Sequence, residues 1–196
     1  MALLRGINVG RAKRVSMADL RALFADLGYD DVRTLLNSGN VVFSGPGAAP
    51  AAADSGSGMV SGGAADATPI AVALNAAARI EAALAQRLGV SARVTVLTAA
   101  ELATIVAGNA LLAVAGDHSR LLVAVLADPA DRSRLEPLAE QDWAPEALAL
   151  GERVAYMWCP DGVIASPLSA AVGRLLGDAV TARNWATMTK LQVLTE

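Results

Sequence analysis

The stretch ALLRGINVGRAKRVSMADLRALFADLGYDDVRTLLNSGNVVFS, residues 2–44, decides the fold of this chain. Residues 2–5 predict a short first strand. Ser16 and Asp19 then form the spacing of a helix N-terminal cap, and apolar residues follow at i, i+3, i+4 and i+7. Gly28 is the residue at which we expect this helix to end. The stretch therefore starts with a strand followed by an amphipathic helix.

Two more strands and a second helix follow. Residues 32–36 and 41–44 predict strands, and Ser38-Gly39-Asn40 between them is typical of a tight turn. Thr68-Pro69 predicts a helix start, because proline suits the first helical position. Residues 93–97 alternate as a fourth strand. The order is βαββαβ, which is the ferredoxin-like arrangement.

Residues 45–67 interrupt this pattern. They consist mainly of Gly, Ala, Ser and Pro, with Met59 and Val60 as the larger apolar side chains. Such a segment buries too little surface to offset the entropy of ordering it, so we expect a flexible insertion.

The second part of the chain predicts the same order again, after a connecting helix capped by Thr98 and Glu101. We therefore expect an α+β fold of two ferredoxin-like halves, residues 1–98 and 99–196, each with an antiparallel sheet and helices packed on one face. The elements of the second half are strands near 121–127, 147–150, 153–158 and 180–182, and helices starting after Asp128, Ser166 and Asn184.

Composition excludes several classes of function. The net charge of −3 gives no overall attraction to nucleic acid or to an anionic membrane. The single cysteine, Cys159, cannot form an internal disulfide, and we expect a buried core thiol rather than a nucleophile. With one histidine, His118, in a polar loop, the sequence predicts no metal site and no cofactor.

The chain also lacks the patterns of export or membrane insertion. Its N-terminus has no uninterrupted apolar run of the kind that a signal peptide needs. Residues 102–116 are free of charge, but Gly108 and Asn109 interrupt them and they are too short to span a bilayer. We expect a cytoplasmic protein. The sequence does not indicate its oligomeric state.

The turn after the first strand is the strongest candidate for a binding site. Exposed amides of a glycine-bearing turn, a helix N-terminus and cations together suit an anion, although the spacing matches neither a P-loop nor a dinucleotide fingerprint. The alternative is that the glycines only shape the turn while the cations are solvated. The residues concerned are Arg5, Gly6, Asn8, Gly10, Arg11, Lys13 and Arg14.

Two further polar pairs lie elsewhere in the chain. Ser38 and Asn40 belong to the predicted hairpin turn. Arg183 and Asn184 lie at a strand-to-helix junction, where they can either cap the helix or reach across to the first loop. The neighbouring Trp185 is interpreted as a core residue.

Three separated segments resemble those of a bacterial family, the domain of unknown function 1697. They are Leu3–Gly10, Ser38–Phe43 and Thr181–Trp185 with Lys190-Leu191. The resemblance implies a small cytoplasmic α+β protein with two ferredoxin-like halves and no established activity. It also implies which polar positions characterise the family: Arg5, Asn8, Ser38, Asn40, Arg183 and Asn184.

The sequence is compatible with three functions. The first is binding, or catalysis, of a small anionic or phosphorylated ligand; arginine and asparagine supply no acid–base pair, so binding is favoured and no catalytic residue is identified. The second is a structural or protein-interaction role in which the motifs stabilise the junction between the halves. The third, single-stranded RNA or DNA binding, is the weakest, because Phe43 is the one aromatic residue on the predicted first and third strands.

Overall fold

A computed structural model describes residues 1–8, 14–45 and 68–196 of the chain. Residues 9–13 and 46–67 lie outside the described part. Gly10 of the candidate site and nearly all of the predicted insertion at 45–67 therefore fall on residues about which no structural statement is made.

The first sheet has the ferredoxin-like order β2-β3-β1-β4, with every neighbouring pair antiparallel. Helix α2 continues into a single π-helical segment, Leu84–Leu88, which ends at the left-handed Gly89. The elements are β1 (Ala2–Arg5), α1 (Met17–Asp26), β2 (Asp30–Leu35), β3 (Asn40–Ser44), α2 (Pro69–Ala83) and β4 (Arg93–Val96).

The second sheet repeats this topology in the order β6-β7-β5-β8, again antiparallel throughout. The connecting helix α3 (Ala99–Ala107) lies between the two sets of strands in the chain. The remaining elements are β5 (Leu121–Leu126), α4 (Glu136–Ala139), β6 (Ala147–Leu150), β7 (Val154–Trp158), α5 (Pro167–Leu176), β8 (Val180–Asn184) and α6 (Trp185–Thr195).

Local capping chemistry explains where the helices begin. Ser16 Oγ accepts a hydrogen bond from the Asp19 amide at 3.0 Å, as the N-cap spacing predicts. Thr98 and Glu101 form a complete capping box at the start of α3. These bonds satisfy amides that have no partner inside the helix, so the sequence alone fixes both helix starts.

Three apolar clusters divide the structure into layers. Helices α1 and α2 cover one face of the first sheet, and α4 and α5 cover the outer face of the second. Helices α3 and α6 fill the space between the two sheets, where side chains such as Leu3, Val123 and Trp185 share one cluster. The predicted α+β fold of two ferredoxin-like halves is confirmed, and the position of α3 and α6 is an addition to it.

Two predicted elements differ in detail. The helix expected after Asp128 begins as a 3₁₀ helix, Pro129–Leu135, and becomes α-helical only at Glu136. Pro137 is the reason, because in the interior of one continuous helix its ring would clash with the carbonyl of Ser133. Leu36, predicted in the second strand, lies instead in the turn with a φ of 59°.

The division of the chain into domains at residue 98 stays a prediction. Each sheet takes its strands from one side of that residue. The cluster between the sheets, however, combines Met1, Leu3 and Val42 with side chains of the second half. The two halves therefore share a core.

Candidate functional site at the junction of the sheets

Arg183 reaches from the second sheet to the first. It lies on β8 opposite Val123 of β5. Its Nε donates to Asn40 Oδ1 at 2.5 Å, and its Nη2 donates to the carbonyls of Leu4 at 2.7 Å and Ser38 at 3.2 Å. Of the two alternatives left open for the Arg183-Asn184 pair, Arg183 reaches across to the first sheet, where it contacts β1 and the β2–β3 turn rather than the first loop.

The remaining nitrogen of Arg183 bonds within its own strand. Nη1 donates to Thr181 Oγ1 at 3.1 Å and to the Ala182 carbonyl at 2.8 Å. A guanidinium has five N–H donors, so these five bonds occupy all of them. We call Arg183 with its acceptors on Leu4, Ser38 and Asn40 the Arg183 clasp.

The acceptors of the Arg183 clasp are all electrically neutral. Burial lowers the pKa of the Arg183 guanidinium to about 10, so the side chain still carries its charge at neutral pH. Among the described residues, no carboxylate lies within ion-pair distance of it. The clasp is therefore a charge held by carbonyl and amide dipoles alone.

Asn40 connects the clasp to the β2–β3 turn. It is completely buried, and its Nδ2 donates to the Leu35 carbonyl at 2.9 Å and to Ser38 Oγ at 3.0 Å. With Arg183 on its Oδ1, both ends of the amide are used. Ser38 contributes its hydroxyl and its carbonyl to the same network.

Asn8 closes the first loop. Its Oδ1 accepts the Val15 amide at 2.8 Å, and its Nδ2 donates to the carbonyls of Val15 at 3.0 Å and Asn37 at 2.9 Å. Asn8 has a φ of 54°, a conformation that asparagine tolerates better than most residues. Its side chain thus holds both ends of the loop and the neighbouring turn together.

Gly39 packs the turn against the first strand. Its φ is 77°, and an added Cβ would lie 2.7 Å from Leu4 Cβ and 2.8 Å from Ile7 Cδ1. Its carbonyl accepts the Leu4 amide at 2.7 Å. Only glycine fits here, whereas at Gly6, with a φ of 86°, an added Cβ would have no described atom within 4 Å.

Arg5 also joins the two sheets, but through fewer bonds. Its Nη1 donates to the Val180 carbonyl, and its Nε lies 3.8 Å from Asp178 Oδ1. The side chain is 39% exposed. Within the described part of the chain, Arg5 therefore has donors that no protein acceptor uses.

Asn184 serves the following helix rather than the junction. Its Oδ1 accepts the Thr187 amide at 2.9 Å and the Thr187 hydroxyl at 2.6 Å, which is an N-cap for α6. Trp185 is 5% exposed and belongs to the cluster between the sheets, as predicted. The pair Arg183-Asn184 thus splits into a cross-sheet contact and a cap.

The sequence did not point to a second important arginine, Arg153. It is 7% exposed, and its Nη1 donates to Glu101 Oε1 at 2.6 Å. Its other nitrogens donate to the carbonyls of Leu126 and Ala127, each at 3.0 Å. Glu101 was interpreted only as a capping residue, and nothing in the local sequence indicates its second role.

The pKa of Glu101 reflects these contacts. Burial raises the pKa of the carboxyl, but hydrogen bonds from the Thr98 backbone and from Arg153 outweigh burial, so the pKa lies below its ordinary value. Cys159 is completely buried, as expected of a core thiol, and burial raises its pKa.

The described residues offer no grouping of three or more histidine, cysteine or acidic side chains that could hold a metal ion. Within the same residues, no helix combines the length and the apolar character needed to cross a membrane.

The model of the family described as "Protein of unknown function (DUF1697)" matches residues 1–60 and 61–156. The chain belongs to this family. The resemblance predicted from the sequence is confirmed, although the matched residues do not include the motif at Thr181–Trp185, which supplies Arg183 of the clasp.

A solved structure agrees with the fold of this DUF1697 protein. The conserved bacterial protein SP0830 from Streptococcus pneumoniae is 18% identical, with a TM-score of 0.63, and the alignment covers 100% of this chain and 97% of that one. At this identity the likeness supports the fold alone. No curated protein matches the chain.

Proposed function

We propose that the polar motifs have a structural role, in which the Arg183 clasp holds the two sheets together. The function of the protein in this proposal is interaction with another protein. The observation that carries this proposal is that all five donors of Arg183 bond to protein acceptors. A guanidinium with no remaining donor has little to offer an incoming anion.

The contribution of the clasp to stability follows from its acceptors. Removing the guanidinium leaves Asn40 Oδ1 and the Leu4 carbonyl without that donor, and an unsatisfied buried polar group costs about 1–3 kcal/mol. Arg183 is itself partly exposed, so water replaces some of the lost bonds. We expect Arg183→Ala to lower the free energy of unfolding by about 2–3 kcal/mol.

The test combines unfolding in urea with a thermal-shift screen. Arg183→Lys is the matched variant: it keeps the charge, but its three donors on one nitrogen cannot span the acceptors. The proposal expects both variants to lose stability and the wild type to show no shift with phosphate, sugar phosphates or nucleotides. An unchanged Arg183→Ala stability, or a ligand whose shift disappears in Arg183→Lys, would contradict it.

Arg5 supports a second candidate function, the binding of a small anion. It is partly exposed and retains donors within the described residues, next to the open backbone at Gly6. Arg14, also exposed, lies at the other end of the same loop. An anion here would be held by charge at the surface, and its binding would weaken strongly with salt.

Arg5→Gln separates this candidate from the structural role. The substitution removes the charge and keeps donors for the Val180 carbonyl. If phosphate or a sugar phosphate raises the melting temperature of the wild type but not of Arg5→Gln, Arg5 binds the anion. Equal shifts in both proteins would exclude Arg5 from such a site.

The sheet surfaces argue against single-stranded nucleic acid. The Phe43 ring lies 4.5 Å from Tyr29 and 5.1 Å from Phe24 between ring centroids, inside the cluster covered by α1 and α2. The opposite face of each sheet is covered by α3 and α6. Within the part of the chain that the structure describes, bases therefore find no open sheet face with aromatic rings on which to stack.

For location we propose the cytoplasm. This rests on Cys159, a buried thiol that forms no disulfide. Fractionation of cells expressing the protein is the direct test.

A further inference from the structure

The four end strands of the two sheets differ in how they are protected. An unpaired strand edge invites pairing with another chain, and proteins block it with bulges, charges or covering groups. On β2 the register shifts between Asp30 and Arg33, and Asp31 has a φ of 50°. On β4 the Glu81 carboxylate accepts the Val94 amide at 2.8 Å. Both edges of the first sheet are thus blunted.

In the second sheet the protection is uneven. The end strand β8 carries Arg183, and its Val180 carbonyl accepts Arg5 from the first sheet. The other end strand, β6, reads Ala-Leu-Ala-Leu and contains no charge, proline or bulge. Its four side chains are all only partly buried. Among the described residues, no strand pairs with its outer edge.

The hairpin geometry identifies the backbone groups on that edge. The Gly151 amide donates to the Val154 carbonyl at 2.8 Å, so Gly151 and Val154 form a hydrogen-bonded pair. In an antiparallel ladder, every second pair of opposite residues is hydrogen-bonded. Ala147 and Ala149 consequently bond to β7. The amides and carbonyls of Leu148 and Leu150 point away from the sheet and are available to an added strand.

A groove lies where β6 begins. It has a volume of about 270 Å³ and includes Trp143, Pro145 and Pro167 among its lining residues. Its ionisable lining consists of three carboxylates, those of Asp142, Glu146 and Asp161, and no lysine or arginine of residues 1–8, 14–45 or 68–196 lines it.

These carboxylates remain without a cation. Asp142 accepts the Ala144 amide and Glu146 accepts the Leu168 amide, each at 3.0 Å. None of the three forms an ion pair within the described part of the chain. The indole of Trp143 and the proline rings suit the alkyl part of a lysine or arginine side chain. The indole and the neighbouring carboxylates attract its charged end.

We propose that β6 and this groove bind an extended segment of a partner protein. The segment adds as a fifth strand along the outer edge of β6 and places a lysine or arginine in the groove. When a peptide binds by adding a strand to a sheet edge, main-chain hydrogen bonds supply the affinity and the side-chain pocket supplies the specificity.

Charge decides against a second copy of this chain as the occupant. In the antiparallel register that pairs Leu148 of one copy with Leu150 of the other, Glu146 of each strand would lie opposite Glu152 of its neighbour. Like charges placed opposite each other destabilise a strand pair. A cationic segment has no such penalty.

The experiment is a fluorescence-anisotropy titration of the full chain with labelled peptides at low salt. The probe is a short peptide of valine and threonine with one central lysine. Two matched probes replace the lysine by glutamine or carry N-methyl groups on alternate amides. We expect the lysine probe to bind at least about fivefold more tightly than the glutamine probe, and the N-methylated probe not to bind.

Variants of the protein locate the site. Asp142→Asn with Asp161→Asn should weaken the lysine probe about fivefold and leave the glutamine probe unchanged. The matched control is Asp30→Asn with Asp31→Asn, which makes the same charge change on an edge strand of the other sheet. The control should bind like the wild type.

Three results would overturn the proposal. These are equal binding of the lysine and glutamine probes, equal weakening by the control variant, and undiminished binding of the N-methylated probe. Loss of lysine-probe binding as the chain forms a concentration-dependent dimer in analytical ultracentrifugation would assign the β6 edge to a second copy instead.

Discussion

Arg153, in the turn between β6 and β7, and Arg183, on β8, have little or moderate exposure, yet they are held in different ways. Arg153 pairs with the Glu101 carboxylate and two carbonyls, and it ties α3 to the β6–β7 hairpin. Arg183 has only neutral acceptors, and it ties one sheet to the other. One contact is an ion pair next to the core, and the other is a charge solvated by protein dipoles.

The difference indicates two separate tasks. An ion pair loses much when either partner is removed, because the remaining charge stays without compensation. A guanidinium bound to carbonyls leaves only neutral groups behind when it is removed. The Arg153 contact should therefore be more sensitive to mutation and to pH, whereas the Arg183 clasp should depend on the geometry of the turn that supplies its acceptors.

The largest effect is expected for Arg153→Ala. This change leaves the Glu101 carboxylate without its counter-ion and the Leu126 carbonyl without its arginine donor, and breaking a buried pair costs about 3–5 kcal/mol. Because Glu101 is partly exposed, we expect the lower end of this range, measured by urea denaturation. Arg93→Ala, which breaks the exposed contact with Glu81, is the control and should cost less than about 1 kcal/mol. If Arg153→Ala lowers the free energy of unfolding by less than Arg183→Ala does, the ion pair is not the more sensitive of the two contacts.

A medium effect is expected for Gly39→Ala, which disturbs the clasp through its turn. The new Cβ would lie 2.7 Å from Leu4 Cβ, in a backbone conformation that alanine adopts at a cost of about 1–2 kcal/mol. Gly6→Ala has a comparable conformational cost and, among the described residues, no steric clash, so it separates the two contributions. We expect Gly39→Ala to have the lower melting temperature. Equal melting temperatures would mean that the turn backbone shifts to accommodate the new Cβ without displacing Leu4.

The smallest effect is expected for the dependence of the free energy of unfolding on pH in the acidic range. The folded-state pKa of Glu101 lies below its ordinary value, so the folded protein binds this proton less readily than the unfolded chain. The resulting stability is present above the ordinary glutamate pKa of about 4.3 and is lost as the pH falls through the lower folded pKa.

Glu101→Gln tests the assignment. The variant should show a shallower loss of stability between neutral and acidic pH, measured by urea unfolding at several pH values. Arg183→Ala should keep the wild-type slope, because no group of the clasp titrates in this range. A wild-type slope in Glu101→Gln would show that Glu101 does not couple folding to pH.

Local sequence signals account for most of the secondary structure. The N-cap at Ser16, the capping box at Thr98 and the turn at Gly39 are each determined within a few residues, and the structure has all three. The 3₁₀ segment before α4 also has a local cause in Pro137, which the periodicity of the apolar residues did not reveal.

The candidate residues were harder to interpret from the sequence. Polar groups beside glycines suggest both a ligand site and a structural junction, and the two differ only in what the side chains contact. The proposed binding site at the edge of β6 was not predicted either. An Ala-Leu-Ala-Leu sequence is equally compatible with a central strand and with an edge strand of a sheet.

The sequence by itself determined the order of strands and helices, the family and the residues that merit attention, because caps, turns and periodicity act over short distances. The tertiary structure decided that α3 and α6 lie between the sheets and that Arg183 is fully bonded. Several of its acceptors are main-chain carbonyls, such as those of Leu4 and Ser38. Every residue carries that group, so no pattern of side chains can mark which carbonyls a distant arginine will find.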